Sequence, residues 1–322
     1  MSGFMTSNTD HVIRANLHSM DIRQAFEDEL MGMQYVEWLS DFPDGETWNV
    51  PTIGNLQVLD YDEGQAIRYN KMDTGNLTMT ITEYKSSGVS IYDKFRQDSM
   101  YAPKIESMFV PKMTRALAVA LETDIMALYP ESQTATNPHL INGYAHRMTG
   151  GGADGRIEIQ DFARAKLALR AANVPMTNLI AIVDPSVEYH LSVLTGLSDF
   201  TYNPKWEGIV ETGLTTGMRF IRNIHGFDIW TSDYLKDIGA ETITGYGTAV
   251  AANGVANLFF SAGPDTTPFM GAFRQMPKVE SSRNKDLQRD EFLMTSRYGL
   301  KIQRPESAVT IITPKTASLV YA

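Results

Sequence analysis

Seven apolar residues between Tyr101 and Pro130 recur at steps of four, four, four, four, four and three: Ile105, Phe109, Met113, Leu117, Leu121, Ile125 and Leu128. That is helical spacing, and it places all seven on one stripe. Tyr101-Ala102-Pro103 opens the helix, with proline near the first turn, where its missing N–H is not needed. Tyr129-Pro130 closes it. Lys112, Arg115, Glu122 and Asp124 lie off the stripe. Pro111 falls inside and is expected to kink or divide the helix. About 25 residues at a rise of about 1.5 Å make a rod of about 40 Å. A rod of that length is long for a globular domain and suits a spine laid across a flat molecule.

What precedes the spine cannot satisfy itself. The first twenty residues are polar and patternless and read as a mobile arm. Asp21 then opens a second helix, with Gln24 three residues on. Ile22, Phe26, Leu30, Met33 and Leu39 form its apolar stripe, and Glu27, Asp28 and Glu37 its polar face. Phe42-Pro43-Asp44-Gly45 is a turn cluster. Trp48 and Val50 alternate before Pro51, and Asp73-Thr74-Gly75-Asn76 reads as a turn. Leu77-Thr78-Met79-Thr80-Ile81-Thr82 then alternates strictly, as a strand with one buried and one wet face does. A long two-stranded excursion is marginal alone. Residues 46–95 are therefore expected to lie on a neighbouring subunit more than on their own domain, with Leu77, Met79 and Ile81 seeking cover there.

Beyond the spine, residues 131–158 read as loop, with Thr149-Gly150-Gly151-Gly152-Ala153-Asp154-Gly155 its most flexible part. Ile159 to Ala172 is an amphipathic helix carrying Phe162, Ala165, Leu167 and Leu169. Leu179 to Val183 is a continuous apolar run, typical of a buried strand. Asp184-Pro185-Ser186 caps a helix running to about Leu194. Gly226 to Trp230 is a strand after a turn. Small residues over 239–263 predict loops around Leu258-Phe259-Phe260. Strands return at Glu291–Met294, Gly299–Ile302 and Ala308–Ile312.

The charge is uneven. Residues 1–63 hold twelve acidic and two basic side chains, Arg14 and Arg23, which accounts for the whole net charge of −10. The stretch from Met270 to Ala322 is basic, nine Lys or Arg against five Asp or Glu. One reading is solvated surface. The sharper one is an acidic segment around Glu27, Asp28 and Glu29 meeting Arg283, Lys285 and Arg289 of a neighbouring copy. The acidic balance argues against tight sequence-independent DNA binding.

The search for chemistry is mostly negative. There is no cysteine, hence no disulfide and no thiolate metal site. No apolar run reaches the roughly 18 residues of a membrane helix, and the N-terminus shows no signal-peptide pattern. Thr149 to Gly155 lacks the Gly-Lys-Ser/Thr ending of a phosphate loop. Asp60-Tyr61-Asp62-Glu63-Gly64 has its glycine one residue early for a calcium loop and lacks the closing glutamate. The six histidines, His11, His18, His139, His146, His190 and His225, include no pair four residues apart. His139 and His146 share one loop, the only conceivable metal pair. Ser186 belongs to a helix cap and not to a nucleophile elbow. Asp237 and Glu241 are four apart, beside a glycine-rich loop. The sequence assigns no catalytic, cofactor-binding or metal-binding residue, and no cofactor.

An arm, an unsupported strand excursion and an over-long spine, in that order, make sense if many copies interlock. That order resembles the major capsid protein of tailed bacteriophages, in the Hong Kong ninety-seven fold. So do the stretches EYKSSGVSIYDKFR (Glu83–Arg96), RALAVALETDIMAL (Arg115–Leu128), GFDIWTSDYL (Gly226–Leu235) and YGLKIQRPESAVTI (Tyr298–Ile311). The resemblance implies an α+β fold with an N-terminal arm at 1–45 and an extended β-hairpin loop at 46–95. It implies a peripheral domain with the spine helix at 96–130, an axial domain at 131–270, and return strands of the peripheral domain at 271–322. It further implies a structural protein, not an enzyme, assembling as hexamers and pentamers into an icosahedral shell around double-stranded DNA. A scaffolding protein and portal would act during assembly in the host cytoplasm, and a cement protein could be added. DNA would be held weakly, and no membrane is involved. In some members a lysine–asparagine bond welds neighbours; Lys71 and Lys85 are the lysines placed for it here. Two alternatives stand beside this: an encapsulin-like compartment shell, and a soluble α+β hydrolase with a pocket under the 240–263 loops.

Overall fold

An apolar run such as Leu179–Val183 can form a strand only if both its faces are covered, and the fold supplies two covers. The computed structural model describes residues 30–39, 47–53, 74–98, 102–129, 138–193, 223–263 and 265–315. A 3-10 turn at Gly32–Tyr35 leads into β1 (Val36–Leu39). β2 (Thr47–Ile53) and β3 (Thr74–Thr80) pair as a two-stranded ribbon. β4 (Glu83–Tyr92) runs into α1 (Asp93–Asp98) and then α2 (Ala102–Met126). Next come β5 (Leu140–Ile141), β6 (Tyr144–Ala145), β7 (Arg147–Thr149), α3 (Ile159–Ala171), β8 (Leu179–Val183) and α4 (Pro185–Val193). β9 (Asn223–Ile224), β10 (Phe227–Thr231), β11 (Asp237–Glu241) and β12 (Val250–Ser261) follow. The chain ends its described course with β13 (Phe269–Asn284), β14 (Arg289–Ile302) and β15 (Ala308–Pro314).

Two sheets organise the molecule. One has four strands in the order β1-β13-β14-β4; the other has seven, in the order β7-β15-β12-β8-β10-β9 with β11 also on β12. On β8, Ala181 and Val183 face a core with Phe162, Ala165 and Leu169 of α3, Val187 and Leu191 of α4, and Phe227 and Phe259. Ile180 and Ile182 face the other way, into a second core. That core also holds Leu121, Ile125 and Met126 of α2, Phe260, and Val36, Phe269 and Tyr298 of the four-stranded sheet. It is the seam joining the two sheets through the end of the spine.

The spine spans 25 residues, with Pro111 inside one unbroken helix and not dividing it. Met113, Leu117, Leu121 and Ile125 of the predicted stripe are buried. The expected strands and helices at α3, β8, α4 and β10 are present, although Leu167, counted into the α3 stripe, stands 52% exposed. The strand predicted at Leu77–Thr82 is β3, which begins earlier, so Thr74-Gly75-Asn76 is strand and not turn. Two of the strands expected near the end merge into the single β14.

Other expectations are corrected. The helix predicted through Leu39 gives way to β1, which pairs in parallel with Phe269–Ala272, and Met33 is exposed. Val36 and Trp38 suit a pleated surface, and the open edge of β13 supplies the partner that a helix would forgo. The part of that helix before Leu30 lies outside the described residues. The 131–158 stretch is not all loop, since β7 pairs with β15. The 239–263 stretch is not all loop: residues 242–249 are, but β12, the centre of the larger sheet, follows and contains Leu258-Phe259-Phe260. β15, expected in a return through the peripheral sheet, belongs to the seven-stranded sheet. Met79 and Ile81 do not wait for a neighbour: both are buried, Met79 against Met270 and Ala272 of the same chain.

Thr149–Gly155 is also far from flexible. Gly150 N donates to Ile312 O at 3.0 Å and Gly152 N to Arg156 O at 2.9 Å. Gly151 N donates to Asp161 Oδ2 at 2.9 Å. A Cβ on Gly150 would sit 2.3 Å from Gly155 O. The glycines let the backbone close on itself, which leaves no cradle for a phosphate.

Candidate assembly surface

The β13–β14 hairpin is longer than anything that covers it. On one face Met294 packs against Met113 and Leu117 of the spine, with Val89 and Phe292 alongside. The register sets Tyr84 beside Arg297 and Gly88 beside Leu293, on the opposite face. The base of that face is closed where Ile81 meets Gly299. Further out it is bare: Tyr84 is 63% and Leu293 41% exposed. β13 is covered by β1 only at Phe269–Ala272, so among the described residues its outer edge from Phe273 to Asn284 has no strand partner. Pro277 sits on that edge within a register shift between Gln275 and Lys278, and Lys278 pairs with Glu280 at 3.0 Å. Proline, a bulge and charges limit indiscriminate pairing of an open edge.

The hairpin tip is held by charge. Arg283 bonds Asp93 at the start of α1 through Nη2 at 2.5 Å and Asp290 through Nη1 at 3.0 Å. Arg96 bonds the other oxygen of Asp290 at 2.6 Å. Asp93 N also donates to Gln288 O at 3.0 Å. Arg283 holds the Asp93 carboxyl below its ordinary range, and Arg96 and Arg283 do the same for Asp290. Arg289 bonds Glu291 at 2.7 Å and Tyr92 Oη at 3.1 Å. Arg283 and Arg289, expected to meet an acidic segment of another copy, are thus paired within their own chain; Glu27, Asp28 and Glu29 lie outside the described residues.

Lys85, one of the two lysines placed for a crosslink, lies 2.7 Å from Glu83 Oε2 and 3.2 Å from Asp124 Oδ2. The bond to Glu83, with Asp124 beside it, raises the lysine pKa despite some desolvation. It is held as an ammonium, which is not nucleophilic. Tyr298 Oη donates to the same Asp124 oxygen at 2.7 Å. Lys71 and the Asp60–Gly64 stretch lie outside the described residues.

The remaining motif residues serve structure. Glu241 forms a buried bidentate pair with Arg147, Nε–Oε1 and Nη2–Oε2 both 2.7 Å. Asp237 pairs instead with Lys315 at 3.3 Å, so the two carboxylates are not poised together for acid–base work. Ser186 Oγ donates to Asp184, whose carboxylate also takes Ser186 N at 3.0 Å, which is a helix cap. The His139 and His146 rings are perpendicular with centroids 6.2 Å apart, and burial pushes both pKa values down. Among the described residues no three His, Asp or Glu are grouped to hold a metal. A cleft of about 240 Å³ does border the 240–263 region, between Tyr144, Met148, Arg164, Leu167 and Tyr246. Its lining offers one cation and no nucleophile–base pair. The residues that sequence reasoning missed are Glu122, which lies buried under the turn before β1, and the Asp93–Arg283–Asp290–Arg96 ring. Their partners are too distant in sequence to leave a local signal.

The sequence model of the phage capsid protein family matches residues 76–311. The chain belongs to the phage capsid protein family. Solved capsids share its fold. The capsid of cyanophage P-SCSP1u aligns over 96% of this chain and 94% of its own at 17% identity and a TM-score of 0.70. Mycobacterium phage Che8 aligns over 94% and 97% at 18% identity and 0.66. The mature capsid of bacteriophage PhiM1 aligns over 95% and 94% at 12% identity and 0.68. No curated protein matches the chain in sequence. The expected α+β architecture of the Hong Kong ninety-seven type is therefore the observed one. This capsid protein is a structural, non-enzymatic protein that forms the phage shell; the hydrolase and compartment-shell alternatives are not favoured.

Proposed function

We propose that copies of this capsid protein meet through the β2–β3 ribbon and the bare face of the four-stranded sheet. The single observation that carries this is the exposure of Tyr84 and Leu293 on a face that, among the described residues, is covered only at its base. Within the shell the chain divides into an arm at 1–45, an extended loop at 46–95, the spine at 96–130, an axial domain at 131–270 that β15 rejoins, and return strands β13 and β14 up to Ile302. β4 pairs into the four-stranded sheet, and the β2–β3 ribbon is the part of this loop outside that sheet. The subunits form hexamers and pentamers in the host cytoplasm. A scaffolding protein and portal take part, a cement protein can be added, and packaged DNA is held weakly by a subunit of net charge −10.

Replacing Tyr84 and Leu293 together by serine tests the surface. Both side chains are exposed, so subunit stability should change by no more than about 0.5 kcal/mol each, while the yield of closed shells should collapse. Shells forming at the wild-type yield would show that this face is not a subunit contact. Urea unfolding and sedimentation read the two quantities separately.

A further inference from the structure

Glu122 breaks the logic of the helix that carries it. Its neighbours Leu121 and Ile125 are buried and apolar, yet Glu122 is equally buried, 1% exposed. Burial pushes its carboxyl pKa up, against the opposing pull of the Met31 and Gly32 amides and of Arg115. A leucine would fill this place without the desolvation cost. What the carboxylate adds is direction. Oε1 accepts from Gly32 N at 2.9 Å and from Met31 N at 3.2 Å, and Oε2 accepts from Gly32 N at 2.8 Å. No side chain of Met31 caps the 3-10 turn that begins at Gly32, so Glu122 supplies acceptors from 90 residues away. The approach is so close that a Cβ on Gly32 would lie 2.7 Å from Oε2 and 3.1 Å from Ile125 Cγ2. The grip falls where the N-terminal segment enters the four-stranded sheet through β1, whose pairing is only four residues long.

We propose that Glu122 is a positioning residue for assembly. It fixes the point and direction at which the N-terminal arm leaves the spine, and so where the arm meets a neighbouring copy. This rests on the reading of residues 1–45 as an arm between subunits. Gly32 completes the device, because any side chain there would push the backbone off the carboxylate.

The full-length chain carrying Glu122→Leu removes the acceptors and keeps the packing volume. Its thermal midpoint should stay near wild type. Tryptic cleavage at Arg23 should rise about tenfold, since hydrogen bonds to a charged group hold the segment against local opening. Closed shells seen by negative stain should fall several-fold, by about the factor that such a free-energy change implies. Glu122→Asp should restore part of both. Should Glu122→Leu fail to fold, Gly32→Ala displaces the same turn from the other side and should reproduce the cleavage and shell defects. Wild-type cleavage and shell yield in these variants would overturn the proposal. So would losses that merely follow a lowered midpoint. A chain lacking residues 1–29 separates the two readings. If it assembles normally, the arm reading fails, and the anchor then stands or falls on the cleavage rate alone.

Discussion

Replacing Glu241 by alanine should lower the unfolding free energy of the subunit by about 3–5 kcal/mol. The side chains of Arg147 and Glu241 are only 4% and 3% exposed, and their two bonds are parallel and short. The guanidinium lies 5.4 Å from the Tyr129 ring centroid, where water cannot replace a lost carboxylate. Alanine would thus strand a charge in a site built for a pair, which costs more than the pair contributes. Replacing both partners by apolar residues of similar volume, Arg147→Met with Glu241→Leu, should recover most of the loss. Denaturant unfolding reads both variants. A single-alanine cost below about 1 kcal/mol would mean that the site is solvated like a surface pair.

The second large effect is expected at the seam. Phe260 has no exposed surface and meets Tyr35 and Phe269 edge-on, with centroids 5.3 Å and 5.4 Å away. Phe260→Ala should cost about 3–5 kcal/mol. Its distribution matters as much as its size. Tyr35 and Phe269 lie on the side of the four-stranded sheet, whereas Phe260 belongs to β12 of the seven-stranded one. Amide protection should therefore fall in β8 and β12 and in β13 and β14 together. Loss confined to one sheet would show that the seam does not couple them.

Legibility in the sequence followed the range of the forces. α2, α3, β8 and β10 are set by local periodicity, and their stripes were readable. β12 was not, because its start, Val250-Ala251-Ala252-Asn253-Gly254, has loop composition. It becomes strand because β15 pairs with one edge and β8 and β11 with the other, a tertiary override of propensity. β1 misled in the opposite sense: a stripe at helical spacing ran through residues whose β partner lies over 230 positions away. β13 escaped notice because half of its length is exposed and carries Pro277, so no alternation marks it. Glu122 looked like an ordinary polar-face residue; only the arrival of Gly32 makes it buried. The ring around Arg283 joins residues 190 apart, and the charge pattern alone assigns Arg283 to a partner outside the chain. The family was legible all the same, because the order of elements survives where each local stretch is weak.

An electron-microscopy reconstruction of particles grown from the full-length chain, with its scaffolding partner supplied, tests the central claim most directly. The account predicts closed icosahedral shells in which the β2–β3 ribbon of each subunit, and the face bearing Tyr84 and Leu293, are seated against neighbouring copies. A chain that stays monomeric at every concentration, or shells in which ribbon and face touch only their own subunit, would contradict it.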